Sequence, residues 1–168
     1  MSCPLTQNYT PQDCATTAGV DYYLITPFSN VTASTLTANV VTAITKTVAF
    51  KKYKQVAETA TWSYSGDGSQ ANGSYAYDWE ATFKTLGLSQ ADQDELELLM
   101  KNKLILIAAM NDGSFWMLGR DYGTTSMNDK FDAGTAFGDF QGSVVTLKGR
   151  SKTKMVKVDS AIITGLLS

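Results

Sequence analysis

The chain has 168 residues, of which 43% are hydrophobic and 18% are charged, and its formal net charge is −2 at pH 7. This length and composition are typical of one ordered globular domain, and they argue against a disordered chain or several domains. The sequence contains no histidine, which excludes the commonest general base and every Ser-His or Cys-His nucleophile pairing. We therefore expect a protein that is not an enzyme and that uses no cofactor.

The first 20 residues carry two prolines and both cysteines without a sustained hydrophobic period. We predict an N-terminal arm over 1–20, followed by a single domain over 21–168. Without histidine, Cys3 and Cys14 cannot complete a four-ligand zinc site, so we expect no bound metal. We interpret them as two small apolar side chains, and a disulfide is the alternative. The arm has no basic and apolar signal regions, so we expect cytoplasmic synthesis.

The next part of the chain is rich in β-branched and aromatic residues, which favour strands over 22–28 and 35–45. From 47 to 85, two strand-like halves flank the turn-rich segment 65–74, and we predict a long β-hairpin whose tip is this segment. Alternate residues on the return half are apolar and should form one buried face. They are Tyr75, Tyr77, Trp79, Ala81 and Phe83.

One helix is predicted from about 90 to 103. Ser89 can cap it, Asp92 lies three residues later, acids dominate the first turns and two lysines lie near the end. Helical spacing places Leu96, Leu99 and Met100 on one face, which should pack on a sheet.

The C-terminal third begins with the apolar run 104–110, which is too short to span a membrane, so we expect no membrane association. Asp112-Gly113 follows it and predicts a β-hairpin with a type I′ turn. The glycine-rich stretch 119–142 has the length of loops that bind something, and strands should follow over 143–148 and 155–163. The expected fold is mainly β with one α-helix, an antiparallel β-sandwich or barrel.

Four cations alternate with uncharged residues near the C-terminus and would share one face of an extended strand: Lys148, Arg150, Lys152 and Lys154. Such a stripe could contact nucleic-acid phosphates. We favour solvent or the acids of a neighbouring subunit, because the stripe contains no aromatic side chains for bases to stack on. Asp78 and Glu80, two acids at alternate positions, are interpreted as a solvated face rather than a catalytic pair.

The order of these elements is similar to that of tail tube proteins of long-tailed bacteriophages: an N-terminal arm, early strands, a long hairpin, one helix, a second hairpin and closing strands. The segments KLILIAAMNDGSFWMLGRDYG and FDAGTAFGDFQGSVVTLKG resemble structural proteins of phages that infect Bacteroidetes. The resemblance covers roughly 20–163.

The resemblance implies a sandwich or barrel of the tail-tube type, with six copies in a ring and rings stacked into a virion tail tube. Its partners would be itself, other tail proteins and the genomic DNA that passes through the lumen without sequence-specific binding. The hairpin tip and the basic stripe would contact neighbouring subunits, and the candidate contact residues are Ser65, Gly66, Asp67, Gly68, Asn72, Lys148, Arg150, Lys152 and Lys154. The alternatives are another phage structural role (a head-tail connector, a tail terminator or a capsid decoration) or a monomeric DNA- or glycan-binding β-domain.

Overall fold

A computed structural model describes residues 8–9, 16–87 and 89–168. Its strands are β1 Val20–Pro27, β2 Val31–Thr37, β3 Val40–Lys46, β4 Lys51–Lys54, β5 Thr61–Ser69, β6 Ser74–Leu86, β7 Leu104–Met110, β8 Phe115–Leu118, β9 Thr124–Asp132, β10 Gly142–Ser151 and β11 Val156–Val158. The helices are α1 Gln90–Lys101, α2 Ser160–Leu166 and a short 3₁₀ turn, Phe28–Asn30. The prediction of a mainly β fold is confirmed.

The strands form two sheets. The larger has seven strands in the order β2-β3-β11-β8-β7-β1-β4, and the smaller has four in the order β5-β6-β10-β9. Pairing is antiparallel except between β3 and β11, so the predicted antiparallel character holds for most of the structure.

The two sheets pack face to face around a first hydrophobic cluster. Tyr23 and Leu106 come from the larger sheet, and Trp79, Phe83 and Leu147 come from the smaller one. The Tyr23 hydroxyl also donates a hydrogen bond of 2.7 Å to the carbonyl oxygen of Thr61 at the start of β5. This cluster and this bond fix the position of the β5–β6 hairpin relative to the larger sheet.

A second hydrophobic cluster covers the opposite face of the larger sheet. Ile105 and Ile107 of β7 pack there with Met117, and Ile163 and Leu166 of α2 close over them. Strand β7 is therefore buried on both faces, which explains why its sequence is an uninterrupted apolar run rather than an alternating one.

Helix α1 begins where its capping signals predict. The Ser89 side chain accepts a hydrogen bond from the Asp92 backbone N–H, and the Asp92 carboxylate accepts one from the Ser89 backbone N–H. Leu96 and Leu99 are buried as predicted, but Met100 is 53% exposed. The prediction for Met100 is wrong because it lies about 100° around the helix from Leu99, outside a narrow contact stripe.

The prediction of only one helix is also wrong. The stretch 155–163, predicted as a strand, contains three residues of β11 and then the start of α2. The Asp159 carboxylate accepts a hydrogen bond of 3.0 Å from the Ala161 backbone N–H and caps α2. Burial of Ile163 against the larger sheet outweighs the β-propensity of its side chain.

The predicted strand 35–45 is in fact a tight hairpin between β2 and β3. Ala38 and Asn39 form its two-residue turn and have φ values of 49° and 64°. Positive φ at both central positions is the type I′ geometry. The sequence offers no glycine there, so the turn has no strong local signal.

The Asp112-Gly113 hairpin joins β7 and β8 as predicted, but its turn type differs. Only Gly113 has a positive φ, 85°. Its N–H donates to the Met110 carbonyl at 3.0 Å, and the Met110 N–H donates to the Ser114 carbonyl at 2.8 Å. These bonds define a three-residue loop with a glycine bulge, so the type I′ prediction is wrong.

The structure also differs from the predicted bounds of the long hairpin and of the glycine-rich loop. The hairpin expected over 47–85 is confined to β5 and β6, because β4 pairs with β1 in the larger sheet. The expected loop 119–142 contains β9, which forms an edge of the smaller sheet. Most of the predicted N-terminal arm, including Cys3 and Cys14, lies outside the described residues. Near its end, the Asn111 side-chain amide donates to the Ala18 carbonyl oxygen at 2.9 Å.

Candidate assembly surfaces

The β5–β6 hairpin extends beyond the strand that supports it. Strands β5 and β6 pair from Thr61↔Thr82 to Ser69↔Ser74, whereas β10 pairs with β6 only as far as Tyr77. Within the described ranges, the last part of the hairpin, 67–76, is therefore a two-stranded ribbon without a third strand beside it. Isolated two-stranded hairpins are marginally stable in water, so this ribbon is the part of the sheet with least support from the protomer.

An aromatic ladder runs along the inner face of the hairpin, from the body of the protein towards the tip. Neighbouring ring centroids are 5.6 Å apart for Trp116–Trp62, 6.3 Å for Trp62–Tyr64, 6.1 Å for Tyr64–Tyr77 and 6.1 Å for Tyr77–Tyr75. Tyr64 is 42% exposed and Tyr75 is 68% exposed. The ladder that begins in the body thus ends as an exposed aromatic surface.

Gly66 allows the Tyr77 ring of this ladder to pack directly on the backbone of β5. It lies opposite Tyr77 in the β5–β6 register, and a Cβ atom at Gly66 would approach Cε1 of the Tyr77 ring to 2.8 Å. The ring therefore lies across bare backbone, a packing in which an aromatic side chain covers a strand glycine. Gly66 belongs to the aromatic face, and Ser65 and Asp67 point the opposite way.

The outer face of the smaller sheet carries two ion pairs. Lys148 Nζ lies 2.9 Å from a Glu80 carboxylate oxygen, and Arg150 Nε lies 2.8 Å from Oδ1 of Asp78. Each pair joins residues directly opposite on β6 and β10. All four side chains are 46–67% exposed, so solvent screens both pairs and each contributes little to stability.

The predicted stripe of four cations on one strand face is only partly present in the structure. Lys148 and Arg150 do share one face, but acids of the same chain neutralise them. Strand β10 ends at Ser151, so Lys152 and Lys154 do not continue the row. The sequence shows both alternations, but the register that places residues 78 and 80 opposite 150 and 148 is a long-range property with no local signal.

The turn after β10 is held by Asp121. Its Oδ2 atom accepts hydrogen bonds from the Ser151 hydroxyl at 2.7 Å, from the backbone N–H groups of Lys152 and Thr153 at 3.1 and 3.2 Å, and from the Thr153 hydroxyl at 3.1 Å. Burial favours a higher pKa for Asp121, but these hydrogen bonds together outweigh it and the pKa is lowered. Lys152 therefore lines a different cleft, beside Arg120 and β2.

Most of the predicted contact residues converge on two adjacent shallow depressions of the outer face. One is lined by Asp67, Gly68, Asn72 and Arg150 and the other by Ser65, Lys148 and Arg150. Asp78 borders both. Gly66 lies on the aromatic face, and Lys152 and Lys154 lie elsewhere. The prediction that Tyr75 belongs to a buried face is wrong, since its side chain is 68% exposed, and the sequence led to no prediction for Tyr64.

Within the described part of the chain, no group of three or more His, Cys, Asp or Glu side chains is arranged to hold a metal ion. None of its helices is long and apolar enough to cross a membrane. Comparisons with protein-family models, with curated proteins and with solved structures gave no match. Fold and surfaces define a mainly β protein of two packed sheets, with a projecting hairpin that is aromatic on one face and polar on the other.

Proposed function

We propose that this chain is the subunit of a tail tube of a long-tailed bacteriophage, with no chemistry of its own. Copies would form rings, and stacked rings would enclose a lumen for the genomic DNA. The observation that carries the proposal is the projecting β5–β6 ribbon, with Tyr75 exposed on its inner face and Tyr64 exposed on the same face of the hairpin next to it.

A projecting hairpin is hard to explain in a monomer. Ordering the backbone of one residue costs about 1–2 kcal/mol, and burial is the main term that offsets it. Among the residues that the structure describes, no third strand lies beside the ribbon 67–76, so these residues supply little burial to offset this cost. A neighbouring subunit over the aromatic face would supply the missing burial.

The geometry of such a contact favours rings over simple pairs. A hairpin that docks on a different surface of the next copy makes a heterologous contact, and repeated heterologous contacts close into rings or continue as filaments. The paired charges of Asp78 with Arg150 and of Glu80 with Lys148 also suit a tube. A face with matched charges offers DNA no strong net attraction, whether it meets a subunit or the lumen.

The direct test is negative-stain electron microscopy of the purified full chain, with light scattering after size exclusion. Polymers of uniform width with an open lumen are expected. Single closed rings or capsid-bound knobs would favour a connector, a terminator or a decoration protein instead. A concentration-independent species at the monomer mass of 18.2 kDa that binds DNA or a glycan would refute the tube.

Two variants test whether the hairpin is the assembly element. In the first, residues 67–76 are replaced by Asn-Gly, which joins Gly66 to its partner Tyr77 by a two-residue turn. In the second, Tyr75→Ala removes one exposed ring, with Tyr122→Ala as the matched control because Tyr122 is similarly exposed, at 51%. Both hairpin variants should fold and lose polymers, and the control should keep them. Unchanged polymerisation in both would show that the hairpin is not an assembly contact.

A further inference from the structure

The tip of the β5–β6 hairpin contains the only Asn-Gly step of the sequence, Asn72-Gly73. The two residues lie in the loop 70–73, which follows the closing pair Ser69↔Ser74. Both are exposed, and no atom of the described residues lies within 4 Å of a Cβ added at Gly73. The Asn72 side chain and the Gly73 backbone are therefore open to solvent and have room to move.

The hydrogen bonds that hold this step in place are few and long. The Asn72 backbone N–H donates to the Ser69 hydroxyl at 3.3 Å, and no described residue makes a hydrogen bond to the Asn72 side chain. The Gly73 N–H donates to the Gln70 carbonyl oxygen, also at 3.3 Å. Both distances exceed the usual range of about 2.7–3.2 Å. Rotation of the Asn72 side chain towards the Gly73 nitrogen therefore breaks little.

Two other turns of the chain lack this combination. In the Asp112-Gly113 turn, Asp112 Oδ1 accepts hydrogen bonds from the backbone N–H and the hydroxyl of Ser114 at 2.8 and 2.6 Å, which hold its carboxylate in place. In the β2–β3 turn, Asn39 is exposed, but Val40 follows it. The β-branched side chain of valine hinders access to its own backbone nitrogen, whereas glycine has no side chain to do so.

We propose that Asn72 is a site of spontaneous deamidation, which adds a carboxylate to the tip of the hairpin. The backbone nitrogen of Gly73 gives up its proton and attacks Cγ of Asn72. The Cγ–Nδ2 bond breaks, and Nδ2 leaves as ammonia with that proton. Water then adds to one of the two carbonyl carbons of the five-membered succinimide and breaks the bond from that carbon to the ring nitrogen. Opening at Cγ gives aspartate, and opening at the main-chain carbonyl carbon gives isoaspartate.

The new carboxylate would lie where the described residues offer it no free cation. Asn72 lines the same depression as Asp67, Asp78 and Arg150. Arg150 is the one cation among the described residues that line it, and its Nε already lies 2.8 Å from Asp78 Oδ1. A second copy that covered the tip would remove water from an unpaired charge, which is costly. Deamidated copies should therefore self-associate more weakly. This consequence rests on the proposed function, whereas the deamidation does not.

Peptide mapping of the full chain tests the modification. The purified protein is incubated at neutral pH in ordinary water and in water enriched in ¹⁸O. The peptide that contains Asn72 should gain about 1 Da in the first and about 3 Da in the second, because one oxygen from water replaces the amide nitrogen. Chromatography should separate an aspartate form from an isoaspartate form. The peptide that contains Asn39 is the internal control. No gain at Asn72, or a gain at Asn39 that is at least as fast, would overturn the proposal.

Two variants test the consequence for assembly. Asn72→Asp carries the charge of the product, and Asn72→Gln keeps an uncharged amide as the matched control. Light scattering after size exclusion should show that Asn72→Asp associates about fivefold more weakly than the parent, equivalent to about 1 kcal/mol for one exposed charge. Asn72→Gln should associate like the parent. Equal association of Asn72→Asp and the parent would overturn the effect on assembly.

The deamidation and the proposed function can fail separately. If a second copy covers the tip, Asn72 should react more slowly in assembled copies than in copies kept dilute. Equal rates would contradict the hairpin contact and leave the deamidation supported. Tubes that form from a chain in which dilute copies keep Asn72 intact would contradict the deamidation alone.

Discussion

Replacing Gly149 by alanine adds one methyl group at a tightly packed point of the core and so tests the packing between β10 and Trp79. It lies directly opposite Trp79 in the β6–β10 ladder, and a Cβ atom there would approach Cε2 and Cζ2 of the indole to 2.4 Å. Trp79 is only 2% exposed, so other buried residues surround most of its ring and would have to shift if the ring moved. Overpacking of this kind costs about 1–3 kcal/mol, and the reduced entropy of the unfolded chain offsets about 0.4–1 kcal/mol.

We therefore expect Gly149→Ala to lower the free energy of unfolding by about 1–2 kcal/mol, or the Tm by about 2–8 °C for a chain of this size. Urea titrations followed by tryptophan fluorescence would measure the change. Gly138→Ala is the matched control, since no atom of the described residues lies within 4 Å of its added Cβ. In a Trp79→Phe background, which removes the second ring of the indole, the cost of Gly149→Ala should fall by about 1 kcal/mol or more. An equal cost in both backgrounds, or a variant as stable as the parent, would refute the reasoning.

Three further outcomes follow from local contacts. Ser89→Ala removes the α1 capping box and should cost about 1 kcal/mol in urea titrations, and Ser89→Asp should restore most of it. Asp121→Ala leaves Ser151 without its acceptor and should cost about 2 kcal/mol at pH 7. Because the folded-state pKa of Asp121 lies below its ordinary 3.8, this difference should be present above that value and shrink as the pH falls below it, and a constant difference would contradict the assignment. Arg150→Ala should leave the urea midpoint close to that of the parent, because solvent screens its exposed pair with Asp78.

The features that the sequence predicts well depend on neighbours in the chain. The start of α1 follows from Ser89 and Asp92, three residues apart, and the β7–β8 hairpin follows from a glycine between two apolar runs. The burial of Trp79 and Phe83 follows from strict alternation along β6. In each case a few consecutive residues contain the whole physical cause.

The features that the sequence predicts poorly depend on distant parts of the chain. Ile163 favours a strand by its side chain but forms a helix because the larger sheet buries it. The pairing of Arg150 with Asp78 depends on the β6–β10 register. Tyr75 continues the alternation of β6 but is exposed, because no strand of the described part of the chain flanks β6 as far as Tyr75. The exposure of Tyr75 therefore depends on where β10 ends, and the residues near Tyr75 in the sequence do not indicate that position.

The edges of the two sheets differ in how well they resist pairing with another chain. Exposed edge strands are commonly protected by charge, above all by lysine, and β4 carries Lys51, Lys52 and Lys54 in four residues. Strand β5, an edge of the smaller sheet, carries only Asp67 in nine residues, and exposed tyrosines cover its inner face. The hairpin therefore combines weak edge protection, little support from the protomer and exposed aromatic area. Each of these three features would destabilise a monomer or promote its aggregation. Together they favour self-association in which a second copy covers the hairpin.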